Sequence, residues 1–176
     1  CLGLFQSFQN AREANDITYT ALLPVAKGDI VRAKYAFCIV VELGYFILTS
    51  VAVLIRMTLL SEAAVYRNNA LMNANLVYLG FVLLILGLFN LIFVGGFFKT
   101  AYKFAKPFVA FIVAAFVVVG IGETLFHIPV LSALNAFGFE HIGLQVSVFM
   151  VGIASFALLT VVSMHRSIKN FEKIDL

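Results

Sequence analysis

The chain has no tryptophan, two cysteines and three prolines in 176 residues, and only 12% of it is charged. Soluble domains carry about 25% charged residues, so this scarcity excludes an ordinary soluble enzyme and a disordered tail. Cys1 and Cys38 lie in apolar stretches and offer neither a disulfide framework nor a metal site. There is no Gly-x-x-x-x-Gly-Lys-Ser/Thr loop to cradle ATP phosphates. No Ser/His/Asp set stands at a recognisable spacing, so no catalytic residue is assigned. The net charge of +3 is not gathered into a soluble basic stripe, which argues against nucleic acid as a partner.

What is present is apolar. Hydrophobic residues make up 62% of the chain, with 19 Phe, and the mean hydropathy is +1.04. A membrane helix needs about 20 mainly apolar residues. Four stretches qualify: about 35–55, 76–98, 108–126 and 143–164. The expected fold class is therefore all-α, a polytopic transmembrane bundle and a single transmembrane domain. Residues 1–8 are read as the end of an earlier span whose start is missing, because Cys1 opens directly onto an apolar run. Residues 9–34 form a polar segment between spans, and 165–176 a tail.

Ten of the twelve Lys and Arg residues fall in the segment before the first full span, the 99–107 loop and the tail. The opposite loops hold only Arg56 and Arg67. The positive-inside rule then places the first group, including the C-terminus, in the cytoplasm. The 127–142 segment is too short to cross and is expected to be an interfacial or re-entrant helix. Small residues scattered through the spans predict close helix packing, with Ala110 and Ala114 at small-xxx-small spacing.

The polar segment has its own punctuation. Pro24 is a helix breaker that also suits a helix start. A short helix is expected up to about Leu22, then a turn at Leu23-Pro24. A second helix, with Asp29 near its start, is expected to run into the first span. Asn15, Asp16, Thr20, Leu23, Pro24, Val25, Ile30, Val31, Ala33 and Lys34 occur in an order that resembles the ABC-2 type permease family, and small bacterial exporter permeases in particular. Glu13 stands one residue nearer Asn15 than in the family segment. Gly28 stands where a second basic residue is common. The family usually has six spans, against four and a remnant here.

The resemblance implies a permease subunit of an ATP-driven ABC exporter in a bacterial plasma (inner) membrane. It implies a dimer with a second permease copy or homologue, and a cytoplasmic ABC ATPase subunit. ATP and Mg would sit on that ATPase, with no cofactor bound by this chain and no enzyme activity of its own. A coupling helix mapped to about Gln9–Leu22 would dock on the ATPase. Glu13, Asn15 and Asp16 would supply polar contacts there; Ile17, Tyr19 and Leu22 would fill an apolar groove, with Pro24 ending the element. The competing reading is a solvated loop on the membrane surface. A non-transport assembly or regulatory module is the alternative function.

Ionisable residues within spans are functional candidates. Glu42 lies about 10 Å along its helix from Tyr35. It is a candidate for the substrate path, or for an internal helix-to-helix hydrogen bond. Glu123 and His127, four apart, are expected to share a helix face and are the other path candidates. A zinc site there fails for want of three well-placed ligands. Anchoring the outer helix end is the plainer role. Membrane lipids are the plain partners of Lys99, Lys103 and Lys106, and of Arg166, Lys169 and Lys173.

Overall fold

A computed structural model of the chain describes residues 1–14, 19, 24–60, 63, 65, 71–100 and 103–173. Helix α1 runs Leu2–Glu13 and α2 runs Lys27–Thr58. Helix α3 spans Leu76–Lys99, α4 is Ala105–Leu125 and α5 is Ile142–Glu172. A short 3-10 turn, Pro129–Asn135, joins α4 to α5. The protein is all-helical, and α2 to α5 are each long and apolar enough to cross a membrane.

The spans differ in how they are used. In its most apolar window α3 is 56% buried, against 11–17% for the other three. A helix apolar all round belongs inside a bundle, so α3 is the central post and α2, α4 and α5 each leave a broad apolar face outward. Glycine brings α3 and α5 together. A Cβ on Gly152 would lie 2.6 Å from the Cα of Gly80, and one on Gly80 would lie 2.9 Å from the Val148 carbonyl oxygen. The backbones touch, and a methyl group would push them apart. Ala110 is exposed, so the small-xxx-small pair on α4 is not the tight seam within this chain. The seam is Gly80–Gly152, because only glycine permits backbone contact there.

The α3 span is not uniform. Leu76–Leu88 is α-helical, Phe89–Val94 is a π-helix, and Gly95–Lys99 returns to α. A π-turn holds an extra residue, which rotates the remainder of the helix by about 100°. Phe89, Phe93, Phe97 and Phe98 of this stretch are all fully buried. They build an aromatic core at the basic end of the bundle with Phe8, Phe111 and Phe171.

Helix α1 lies on that core. Phe8 is fully buried, with its ring 5.3 Å from Phe93 and 4.8 Å from Phe97. Phe5 stacks on Phe108 at 4.0 Å. Arg12 caps the Phe104 ring at 5.1 Å, a cation–π contact.

The opposite end is held by amides. Asn75 caps α3, accepting the Tyr78 N–H at 3.1 Å, and donates to the carbonyls of Leu134 and Ala136. The Asn73 side chain donates to the Asn135 carbonyl at 2.8 Å, and its backbone N–H donates to Asn135 Oδ1 at 2.6 Å. Gln145 accepts from the Leu76 N–H and donates to the carbonyls of Gly138 and Glu140. These bonds satisfy backbone groups that would otherwise be orphaned where the helices end. Within 127–142, expected to be an interfacial or re-entrant helix, the structure places one short 3-10 helix with no buried residue of its own, and Asn73 and Asn75 bond its end at Leu134, Asn135 and Ala136.

Candidate functional site

Halfway along the bundle, polar side chains from α2, α3 and α5 meet. Asn90 is the sole amide in α3, and it sits in the π-helical turn. It is fully buried, and Glu42 of α2 is 2% exposed. The Asn90 Nδ2 group donates to Glu42 Oε2 at 2.8 Å and to Thr160 Oγ1 of α5 at 3.1 Å. Both amide hydrogens are therefore used. Polar groups in an apolar medium must find partners in the protein, and here one amide ties three helices.

A second chain of bonds leaves the same residue. Ser163 Oγ donates to the Asn90 carbonyl oxygen at 2.7 Å. The Tyr35 hydroxyl lies 2.7 Å from Ser163 Oγ and 2.9 Å from Ser167 Oγ. Each hydroxyl has one proton. Ser163 spends its proton on Asn90, so Tyr35 donates to Ser163 and Ser167 donates to Tyr35. The result is a directed run, Ser167 to Tyr35 to Ser163 to the Asn90 carbonyl.

The arrangement holds two further acceptors. Among the described residues, Glu42 Oε1 and Asn90 Oδ1 have no hydrogen-bond partner. A proton on either Glu42 oxygen turns an acceptor into a donor, and an N–H or O–H of a passing molecule would serve the same atoms. Buried unsatisfied polar groups are few in folded proteins, which marks this spot.

The other sequence candidates lie elsewhere. Glu123 is near the C-terminal end of α4, where its Oε2 accepts the Met72 N–H at 2.9 Å; it fastens the approach to α3. His127 lies beyond the last residue of α4, which corrects the expectation that it shares a helix face with Glu123. The helix stops at Leu125, and the His127 N–H turns back to the Thr124 carbonyl. Its exposed ring rests 4.3 Å from that of Phe126. Glu42 is about 24 Å along α2 from Thr58 at its C-terminal end, so it is not grouped with this pair. Among the described residues, no three His, Cys, Asp or Glu side chains gather as a metal site.

Of the expected docking residues, Asn15, Asp16, Ile17 and Leu22 lie outside the described residues. Glu13 closes α1 and accepts from Gln9 Nε2 at 3.0 Å. Tyr19 is helical and 68% exposed. Pro24 forms an exposed bend just before α2. Of the expected 9–22 helix, the described residues show α1 up to Glu13 and a helical Tyr19.

Sequence reasoning overlooked Asn90, Thr160, Tyr35, Ser163 and Ser167. A signal was available. Thr160, Ser163 and Ser167 are spaced three and then four apart on one apolar helix, which is a polar stripe on a single face, and Asn90 interrupts an otherwise apolar span.

No curated protein and no solved structure matches the chain. The family model for the ABC-2 family transporter protein matches residues 2–172. With nearly the whole length covered, the chain belongs to the ABC-2 transporter family.

Proposed function

We propose that the chain is the permease subunit of an ATP-driven ABC exporter, moving a lipophilic or amphipathic substrate with energy from a partner ATPase. Family membership makes it a multi-pass membrane component of a transporter; the ATPase, the direction and the cargo are our reading. In it, the basic end faces the cytoplasm, a second permease completes the pathway, and ATP and Mg bind the ATPase alone.

The observation that carries this reading is the seat of α1. The helix leads into the segment expected to dock, and Phe8 is clamped between Phe93 and Phe97. Phe93 belongs to the same π-turn as Asn90. A displacement of residues 13–24 would therefore reach Asn90, Glu42 and Thr160 through close-packed aromatic rings, since packed cores transmit strain rather than absorb it. Glu42 and Asn90 would then rearrange near the middle of the path.

The test uses the complete protein in mild detergent and then in vesicles. The double variant Ile17→Ala/Tyr19→Ala should lose a stoichiometric ATPase and ATP-dependent transport while expressing normally. An ATPase and transport unaffected by the change would refute docking at this segment. A complex that forms without any ATPase would favour a membrane assembly module.

A further inference from the structure

Sequence separates Lys99 from the basic residues of the C-terminal segment; the fold brings them to one cavity. It has a volume of about 560 Å³ and lies between the end of α3 and the last turns of α5. Lys99, Arg166, Lys169 and Lys173 line it, with Leu91 and Ile92 on its wall. On α5 the three basic residues follow a spacing of three and then four, so they share one face. Helix α5 continues to Glu172, well past the apolar stretch, and this extension is what presents them. Gly95 allows the approach: a Cβ there would lie 2.7 Å from Ser163 Oγ.

The charge is unbalanced. Among the described residues, none of the four cavity cations has a carboxylate within ion-pair distance, as Arg32 has in Asp29. Basic residues in a final helical turn complement the helix dipole, which accounts for Lys99 and Lys169. It does not account for Arg166, a turn earlier, nor for the convergence of both helices on one cavity. Like charges that meet across a cavity repel, and an anion removes that repulsion.

The wall defines the rest of the ligand. Leu91 lies eight residues before Lys99, about 12 Å deeper along α3. The cavity is thus cationic at its mouth and apolar within. Its mouth is where a span ends, at the level of headgroups.

We infer that this cavity is a binding site for one anionic phospholipid. Its phosphate sits among Lys99, Arg166, Lys169 and Lys173, and an acyl chain runs along Leu91 and Ile92. Basic pockets between membrane helices suit such headgroups. The site does not depend on ATPase coupling, and it distinguishes this patch from Lys103 and Lys106, which lie outside the cavity.

Native mass spectrometry of the complete protein in mild detergent tests this, with phosphatidylglycerol, phosphatidylcholine or inorganic phosphate added stepwise. One phosphatidylglycerol per chain should be retained in preference to phosphatidylcholine, and phosphate should neither bind alone nor displace it. Arg166→Gln/Lys169→Gln should weaken retention by about fivefold for each charge removed. Lys99→Gln/Lys173→Gln, at the edges, should act likewise if the first pair fails to fold. Lys103→Gln/Lys106→Gln should leave retention unchanged. Equal retention of both lipids, or equal loss in the Lys103/Lys106 control, would overturn the site. Phosphate binding as tightly as lipid would make the ligand a soluble anion and overturn the lipid assignment. An acidic protein released by the cavity variants, with lipid retention unchanged, would assign the surface to a protein instead.

Discussion

Asn90 and Glu42, 48 residues apart, share a 2.8 Å hydrogen bond where neither side chain reaches solvent. The bond joins the central helix to α2 at the one turn where α3 departs from α geometry. Its second amide hydrogen engages Thr160, so the pair is also tied to α5.

Glu42→Gln keeps an oxygen for Asn90 and removes the carboxylate. Stability should change by less than about 1 kcal/mol, because an amide oxygen accepts the Asn90 bond in the same place. Transport in vesicles should fall if Glu42 serves the substrate path. Glu42→Ala, which leaves the Asn90 amide unpaired, should destabilise by about 1–3 kcal/mol. Full transport in the Gln variant would remove Glu42 from the path and leave it a structural tie.

Tyr35 links two serines on α5. Tyr35→Phe and Ser167→Ala should each destabilise the protein, and their double-mutant cycle should show coupling of about 0.6 kcal/mol, typical of hydrogen bonds between membrane helices. Unfolding in mixed micelles measures it. Additive effects would break the proposed run of hydroxyls.

Gly152→Ala should destabilise by about 1–3 kcal/mol, the usual cost of overpacking, because the new methyl meets the Gly80 backbone at 2.6 Å. Gly120 has nothing within 4 Å of a Cβ. Gly120→Ala should be neutral, or stabilise by up to about 1 kcal/mol through helix propensity. Thermal unfolding of the two variants side by side reads the contrast.

Phe8→Ala should destabilise by about 2 kcal/mol. The ring leaves lipid-like surroundings for lipid-like surroundings on unfolding in a bilayer, so the transfer contribution is small and the cavity it leaves is the main cost. The variant should also weaken the link between ATP hydrolysis and transport. Coupling that survives intact would move the transmission route away from α1.

Gln145 closes the end of the bundle opposite the basic one through one accepted and two donated bonds. Gln145→Leu should cost about 1–3 kcal/mol by orphaning the Leu76 N–H and two carbonyls. Hydrogen exchange at Leu76 and in the 138–140 turn should speed up. Unchanged exchange there would show that water replaces the side chain.

Sequence alone determined that four helices are apolar enough to span a membrane, because hydropathy over about 20 residues is a local sum and needs no knowledge of neighbours. The family, too, was legible, in the ordered residues Asn15 to Lys34. Which helix lies at the centre was not. All four spans are apolar, and lipid and protein interior look alike to a hydropathy pattern. The packing of the helices makes α3 the post, sets Gly80 and Gly152 rather than Ala110 and Ala114 at the seam, and brings Glu42 to Asn90. The same holds for Lys99 and Arg166, which one helix-to-helix approach turns from two separate basic stretches into the mouth of a single cavity. Such meetings depend on helix rotation and on one π-turn, which the packing of all the spans together fixes.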